Sequence, residues 1–243
     1  MGGAESIAPT ENNNYGNAIN CGSHCSKSNM SQFIKRLVVG TVAVVVWAMV
    51  WVELQERGGG ACNSSAVGYK APLVMSGGDP YIRALMRTIS ASESNVRCPY
   101  SVLYGGNHIS NFNRHPDRCL PIVAGPNTGN CTTAAGRYQF ITTTWQEVAH
   151  LYHPHPEGFP WHRQYSFAPQ YQDAVVHAWL SDPTAWGADI PQMLRDDRIE
   201  DVLWLLSGTW TSLGYGIETN SMSSALPDIY WRILQEEKLA AVW

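Results

Sequence analysis

Charge is scarce in this chain. Asp, Glu, Lys and Arg make up 15% of its 243 residues, where an average soluble domain carries roughly a quarter. The formal net charge is −4, so no broad cationic field exists to hold phosphates, and nucleic acid is not expected as a partner. The sequence also has no Gly-x-Ser-x-Gly nucleophile elbow and no glycine-rich loop to cradle a phosphate, which argues against those two chemistries. What it has in quantity is aromatic: ten Trp and eleven Tyr, with hydrophobic residues at 44%. Such a chain buries a core rather than staying disordered, and its length suits one or two domains.

One hydrophobic run divides the chain. Residues 37–52, LVVGTVAVVVWAMVWV, carry no charge and as a helix span ~24 Å at about 1.5 Å per residue. Phe33, Ile34 and Leu54 extend the run, and Trp47 and Trp51 suit an interface at its C-terminal end. A transmembrane helix over 33–54, in contact with the lipid bilayer, is therefore expected. Lys27, Lys35 and Arg36 precede the run, whereas Arg57 follows it together with Glu53 and Glu56. That bias places the N-terminus in the cytoplasm and the rest of the chain in the periplasm or outside, as a single-pass protein of the inner membrane. A cleavable signal peptide is the alternative, with Gly59 and Ala61 near its cleavage point, though the charges of Glu53–Arg57 favour an uncleaved anchor.

Residues 1–32 are polar, rich in Asn, Gly and Ser, and read as a disordered tail. Met30 is an alternative natural start. Residues 55–78, with GGG and SGG, read as a flexible tether. Cys62, Cys98, Cys119 and Cys131 fall on the exported side, where disulfides form; a pair among the last three is expected, with the pairing open.

Residues 79–243 form the exported domain. Asp79-Pro80 makes a helix start, and Ile82, Leu85, Met86 and Ile89 follow at three- and four-residue spacing. Tyr100–Leu103 is a short strand candidate before Gly105-Gly106. Helical patterns return at Trp145–Tyr152, Tyr171–Ala178, Ile199–Leu206 and Leu226–Ala241. The fold class expected is mostly α, of the α+β kind, with one small β or loop lobe.

Glu93 lies four residues beyond Ile89 and so continues the apolar stripe of the first helix. Both an apolar setting and the negative end of a helix favour a protonated carboxyl group, which is what a general acid needs near neutrality. A solvated glutamate at a frayed helix end is the bland alternative. His150, His153, His155 and His162 crowd one stretch, but Pro154, Pro156 and Pro160 forbid helical ligand spacing, so a proline-stiffened loop is expected there and no metal site. Cys21 and Cys25, with His24 between them, are too few ligands on a disordered tail to hold one.

Over almost the whole of residues 81–243 the pieces of a known family occur in order. Ser92-Glu93 closes the first long helix, and Tyr100-Ser-Val-Leu-Tyr-Gly-Gly106 and His115-Pro116 follow. Ala135-Gly-Arg-Tyr-Gln139 with Trp145 is the most specific block; Phe167-Ala-Pro169, Gln172-Asp-Ala174, Trp210-Thr-Ser-Leu213 and Gly214-Tyr-Gly216 complete the series. The domain resembles the lambda-phage endolysin family of lytic transglycosylases, which have a lysozyme-like fold and act on peptidoglycan glycan strands. It departs at Ser94, where the family has glycine, at Ala91, where tryptophan is usual, and at Asn111, where an aspartate stands. The proline after Trp-x-Ser-Leu is missing, and the loop 153–166 is longer than the family's connection.

The resemblance implies Glu93 as the catalytic acid and no cofactor. It implies Ser92, Tyr138, Gln139, Tyr215 and Trp210 as substrate-binding residues, Trp210 being equally suited to core packing. Arg137 and Gly136 would be structural. The implied reaction cleaves the β-1,4 bond between MurNAc and GlcNAc by attack of the muramic acid's own 6-hydroxyl, leaving a 1,6-anhydro end. A muramidase using water, and a silent wall-binding module, are the alternatives; a host wall-remodelling enzyme and a phage endolysin would share this layout.

Overall fold

The computed structural model describes residues 66–125, 127–159, 161–215 and 221–241. The chain divides into two units, Met1–Trp51 and Val52–Trp243, and every described residue belongs to the second. The tail and the hydrophobic run at 33–54 thus lie outside the described residues. Among the described residues no helix is long and apolar enough to cross a membrane.

Helix α1, Pro80–Glu93, begins as its sequence dictates. Asp79 Oδ1 accepts from the Tyr81 amide at 2.8 Å, and Pro80 occupies the first turn, where no amide donor is needed. Ile82, Leu85, Met86 and Ile89 are completely buried. The opposite side of α1 carries Arg83 and Arg87, which meet the last helix, α7 in the numbering below, through Glu237. Arg83 Nε lies 2.6 Å and Arg87 Nη1 2.9 Å from its two carboxylate oxygens. Residual donors of the same guanidiniums reach the Tyr69 carbonyl at 2.9 Å and the Gly77 carbonyl at 2.9 Å.

Those last bonds correct the tether. Residues 66–77, expected to be flexible, lie against the domain. Gly68–Lys70 makes a single 3-10 turn, Ala71 and Leu73 are buried, and the Asp173 carboxylate accepts from the Val74 amide at 2.7 Å. The glycines that suggested a tether flank a short apolar segment whose carbonyls are claimed by buried arginines, a long-range partnership that local composition does not carry.

The small lobe also differs from expectation. Pro99–Ser101 is a 3-10 turn rather than a strand, and Val102 and Leu103 make only isolated bridges, to His108 and Ala135. Pro99 removes a donor, and Tyr100 is drawn inward to Asp173 by a 2.7 Å hydrogen bond from its hydroxyl. The strands that do form are β1, Leu120–Pro121, and β2, Cys131–Thr132, antiparallel with Leu120 opposite Thr132. Cys119 and Cys131 form a disulfide beside them, with Cα atoms 5.4 Å apart. The expected pair is therefore present, and Cys98 is disulfide-bonded as well.

The Cys119–Cys131 bridge closes a short loop on a sheet of two residue pairs, with little else to order it. Replacing both cysteines by serine is expected to lower stability by about 2–4 kcal/mol, read as a lower urea midpoint at unchanged slope.

The remaining helices are α2, Thr142–Tyr152, α3, Pro169–Leu180, α4, Pro183–Trp186, α5, Ile190–Arg195, α6, Ile199–Leu206, and α7, Leu226–Ala240. Four of these follow the sequence periodicity. The two short ones, α4 and α5, were not legible as apolar stripes, yet each starts on a capping aspartate: Asp182 Oδ1 accepts from Thr184 and Asp189 Oδ1 from Gln192. The core runs beneath all of these helices, from Ile82 and Leu85 through Trp145, Phe167 and Val176 to Leu203 and Tyr230.

Candidate active site

Glu93 is the last residue of α1, so the apolar stripe carries its side chain to the inner end of the helix. There it is half-buried and lines a cavity of about 650 Å³. Ile122, Ala124 and Thr132 of the small lobe form one wall; Gln139, Thr209 and Trp210 lie on the helical side. Among the described residues that line this cavity, Glu93 has the sole carboxyl group.

Ser212 holds that carboxylate. Its hydroxyl donates to Glu93 Oε1 across 119 residues of sequence. Ser212 sits in the 3-10 turn Thr211–Leu213, whose position is set from two sides. Trp210 Nε1 donates to the Tyr138 carbonyl at 3.0 Å, and Ser223 Oγ donates to the Ser212 carbonyl at 3.3 Å. Gly214 closes the turn at φ +97°, and a Cβ there would fall 2.3 Å from Ser223 Oγ. In sequence Ser212 stands only as the third residue of Trp210-Thr-Ser-Leu213. Only its partner's position, set by the fold, reveals its role.

The Ala135–Gln139 block proves to be a structural knot with one edge on the cavity. Arg137 is completely buried; Nη1 donates to the Pro72 carbonyl at 3.0 Å and to the Tyr100 hydroxyl at 2.9 Å, and Nη2 to the Ala71 carbonyl at 2.8 Å. Tyr138 borders the cavity, but its hydroxyl is engaged elsewhere. Its hydroxyl donates to Asp173 Oδ1 at 2.6 Å in the interior, and burial together with that carboxylate pushes the phenol far above its ordinary range. An aromatic ring of this size gains more from the core than from the cleft.

Gly136 is structural for a steric reason. Its φ is +75°, and a Cβ would fall 2.3 Å from Gln172 Oε1 and 2.8 Å from Phe167 Cζ. Gln172 Oε1 is itself fixed by the Arg137 amide at 2.9 Å. Gly136→Ala is expected to destabilise the domain by about 2 kcal/mol or more through strain and displaced packing, measured as a fall in thermal midpoint.

The other expected substrate residues divide. Gln139 lines the cavity at φ +46°, with Nε2 donating to the Gly136 carbonyl at 2.9 Å. Trp210 is 4% exposed and shares an aromatic cluster with Phe140, Trp179 and Trp186, so it is a core residue that shows one edge to the cavity. Ser92 does not line the cavity; its hydroxyl donates back to the Ile89 carbonyl at 3.0 Å. Tyr215 is likewise outside the lining and stands 42% exposed, near Glu200.

Two departures from the family pattern acquire a physical account. Ser94 is buried, and its hydroxyl donates to the Arg137 carbonyl at 2.6 Å, which ties the end of α1 to the Ala135–Gln139 block. Ala91 is buried where α1 meets the core, so a small side chain fits there. Among the described residues no group of three His, Cys, Asp or Glu is placed to hold a metal ion. His153 is buried, with Nε2 3.1 Å from the Ser166 carbonyl, and burial pulls its pKa below the ordinary histidine value.

A family model described as Endolysin matches residues 83–232, from within α1 to the first half of α7, and so spans every residue that lines the cavity. The chain belongs to the endolysin family. No curated protein matches it. Among solved structures it is similar to bacteriophage lambda lysozyme complexed with a chitohexasaccharide, at 21% identity over 65% of this chain and 97% of that one, with a TM-score of 0.47. A second structure of lysozyme from bacteriophage lambda gives 18% identity over 67% and 97%, with a TM-score of 0.46. Within the family match, the residues that meet at the cavity come from α1, the small lobe, the Ala135–Gln139 block and the Thr211–Leu213 turn.

Proposed function

We propose that this endolysin-family protein cleaves the β-1,4 bond between MurNAc and GlcNAc in peptidoglycan, with Glu93 as its acid, by intramolecular transglycosylation. The observation that carries the reading is the setting of Glu93. It is the sole carboxyl among the described residues that line a cavity of about 650 Å³, and a serine hydroxyl holds its Oε1.

Hydrolysis of the retaining or inverting kind needs two carboxyl groups around the scissile bond. Asp117, the next acid after Glu93, lies outside this cavity, with Oδ1 accepting from Thr142 Oγ1 at 2.6 Å. One carboxyl suffices when the substrate carries its own nucleophile. Glu93 gives its proton to the leaving glycosidic oxygen, the C1–O bond breaks, and the carboxylate then takes the proton of the muramic acid 6-hydroxyl as that oxygen bonds to C1. No water is consumed, and Glu93 ends protonated. An intramolecular hydroxyl has a high effective concentration, which offsets the missing second carboxyl. Ser212 keeps one carboxylate oxygen of Glu93 oriented. Gln139 and the edge of Trp210 form the bed on which the sugars lie.

Mass spectrometry of the fragments released from purified sacculi tests the reading. Anhydro ends are expected; fragments heavier by one water would establish a muramidase instead, and no release would leave a wall-binding module. The reading includes residues 33–54 as a membrane anchor with the catalytic domain outside the cytoplasm, supported by the charge bias around the run. Protease added to spheroplasts is then expected to digest the large domain and leave the N-terminal fragment.

A further inference from the structure

Beside the Glu93 cavity lies a second one, of about 590 Å³, that the reaction does not use. Arg114 and Asp117 stand on one side of it, Arg163 and Gln164 on the other, with Thr142 and Trp145 of α2 between them. The two cavities share a wall. Ile141 and Thr144 face the first, Thr142 and Trp145 the second, so the opening turn of α2 is the partition between them.

Arg163, Gln164 and Tyr165, from the loop after α2, also line the second cavity. In that loop the Glu157 amide donates to the Gln164 carbonyl at 2.9 Å and the Gln164 amide returns a bond at 2.8 Å. At its base, Ser166 Oγ donates to the Phe112 carbonyl at 3.2 Å, and His150 Nδ1 lies 2.9 Å from the Tyr165 hydroxyl. Arg163 thus lines the same cavity as Arg114. Among the described residues neither arginine is in an ion pair. Trp145, 1% exposed, lines the same cavity, and its indole N–H has no acceptor among the described residues. A buried donor left in that state is uncommon and marks a place where an acceptor belongs.

Two exposed guanidiniums and an unsatisfied indole donor ask for an oxygen-rich anion. Asp117, with one oxygen engaged by Thr142, adds a single negative charge that suits an amine. We propose that this second cavity receives the acidic stem peptide of a glycan strand lying in the Glu93 cavity, its carboxylates held by Arg114 and Arg163. The proposal rests on the peptidoglycan reading above. Peptidoglycan presents that chemistry at the required place: each muramic acid carries, on its lactyl group, a short peptide with more carboxylates than amines. Arg114 and Arg163 thereby make the enzyme prefer strands that still bear their peptides.

The test uses the full-length protein and its Arg114→Ala/Arg163→Ala variant, both positions being exposed and outside the core. Turnover is measured on glycan strands with stems and on strands stripped of them by an amidase, and free stem peptide and inorganic phosphate are titrated by calorimetry. The variant is expected to lose roughly three- to tenfold in kcat/KM on stem-bearing strands, the yield of two exposed charge pairs, and nothing on stripped ones. It is also expected to lose peptide binding. Equal losses on both substrates, no loss on either, or an equal response to inorganic phosphate would overturn the proposal. Wild-type protein that cleaves neither substrate would overturn the glycosidase reading instead; peptide binding that depends on both arginines would then still support the cavity's assignment, and its absence would overturn that too.

Discussion

Glu93→Gln is expected to fold as the native protein does and to release fragments from sacculi at least ~10²–10⁴-fold more slowly, the usual contribution of a positioned general acid. The substitution preserves size and shape, and an amide can still accept from the Ser212 hydroxyl at its Oε1 position. What it removes is the proton for the leaving oxygen and the carboxylate that collects the one from the 6-hydroxyl. Circular dichroism and the thermal midpoint establish the fold, and quantified muropeptides the rate. A well-folded variant that works at near native speed would end the assignment, because the described lining of the cavity offers no other carboxyl group.

The largest expected effect on stability belongs to Asp173. Its two oxygens collect four donors in the interior: the Tyr100 and Tyr138 hydroxyls at 2.7 and 2.6 Å, and the Val74 and Met75 amides at 2.7 and 3.2 Å. Tyr100 in turn accepts from Arg137, so one carboxylate stands behind a buried guanidinium by way of a phenol. Asp173→Ala strips the acceptor from all four donors and leaves Arg137 without a nearby countercharge. A loss of about 3–5 kcal/mol is expected, in the range for breaking a buried charged network. Asp173→Asn, which keeps one acceptor oxygen, should cost visibly less. Urea unfolding of the three proteins reads the order directly, and an Ala variant as stable as the native protein would show that the network adds nothing.

This network shows how the Ala135–Gln139 block is divided between core and cavity. Sequence alone shows Arg137, Tyr138 and Gln139 side by side, and it was the family resemblance that implied a structural Arg137 and substrate-facing Tyr138 and Gln139. Successive residues in an irregular segment point in different directions, and only long-range partners decide which direction is which. Pro72 and Ala71 draw Arg137 away, Asp173 claims the Tyr138 hydroxyl in the interior, and both Tyr138 and Gln139 border the cavity. Ser92 and Tyr215 miss the cavity for a related cause, since adjacency to Glu93 or to Trp210 in sequence does not set the angle at which a side chain leaves the backbone.

Helices declared themselves wherever their apolar residues recur at three- and four-residue spacing. The stripe from Ile82 to Ile89 fixed α1 and with it the side on which Glu93 emerges, because burial of that stripe leaves the helix one rotation about its axis. The mostly α character and the paired cysteines of the small lobe were legible for equally local reasons. Tertiary structure alone decided that Ser212 reaches Glu93, that Tyr138 is core, that residues 66–77 are part of the domain, and that Arg163 and Arg114 line the same second cavity. The physical reason is the same in each case. Periodicity and capping act over one or two turns of chain, whereas the hydrogen bonds that aim a side chain here join residues dozens to more than a hundred positions apart.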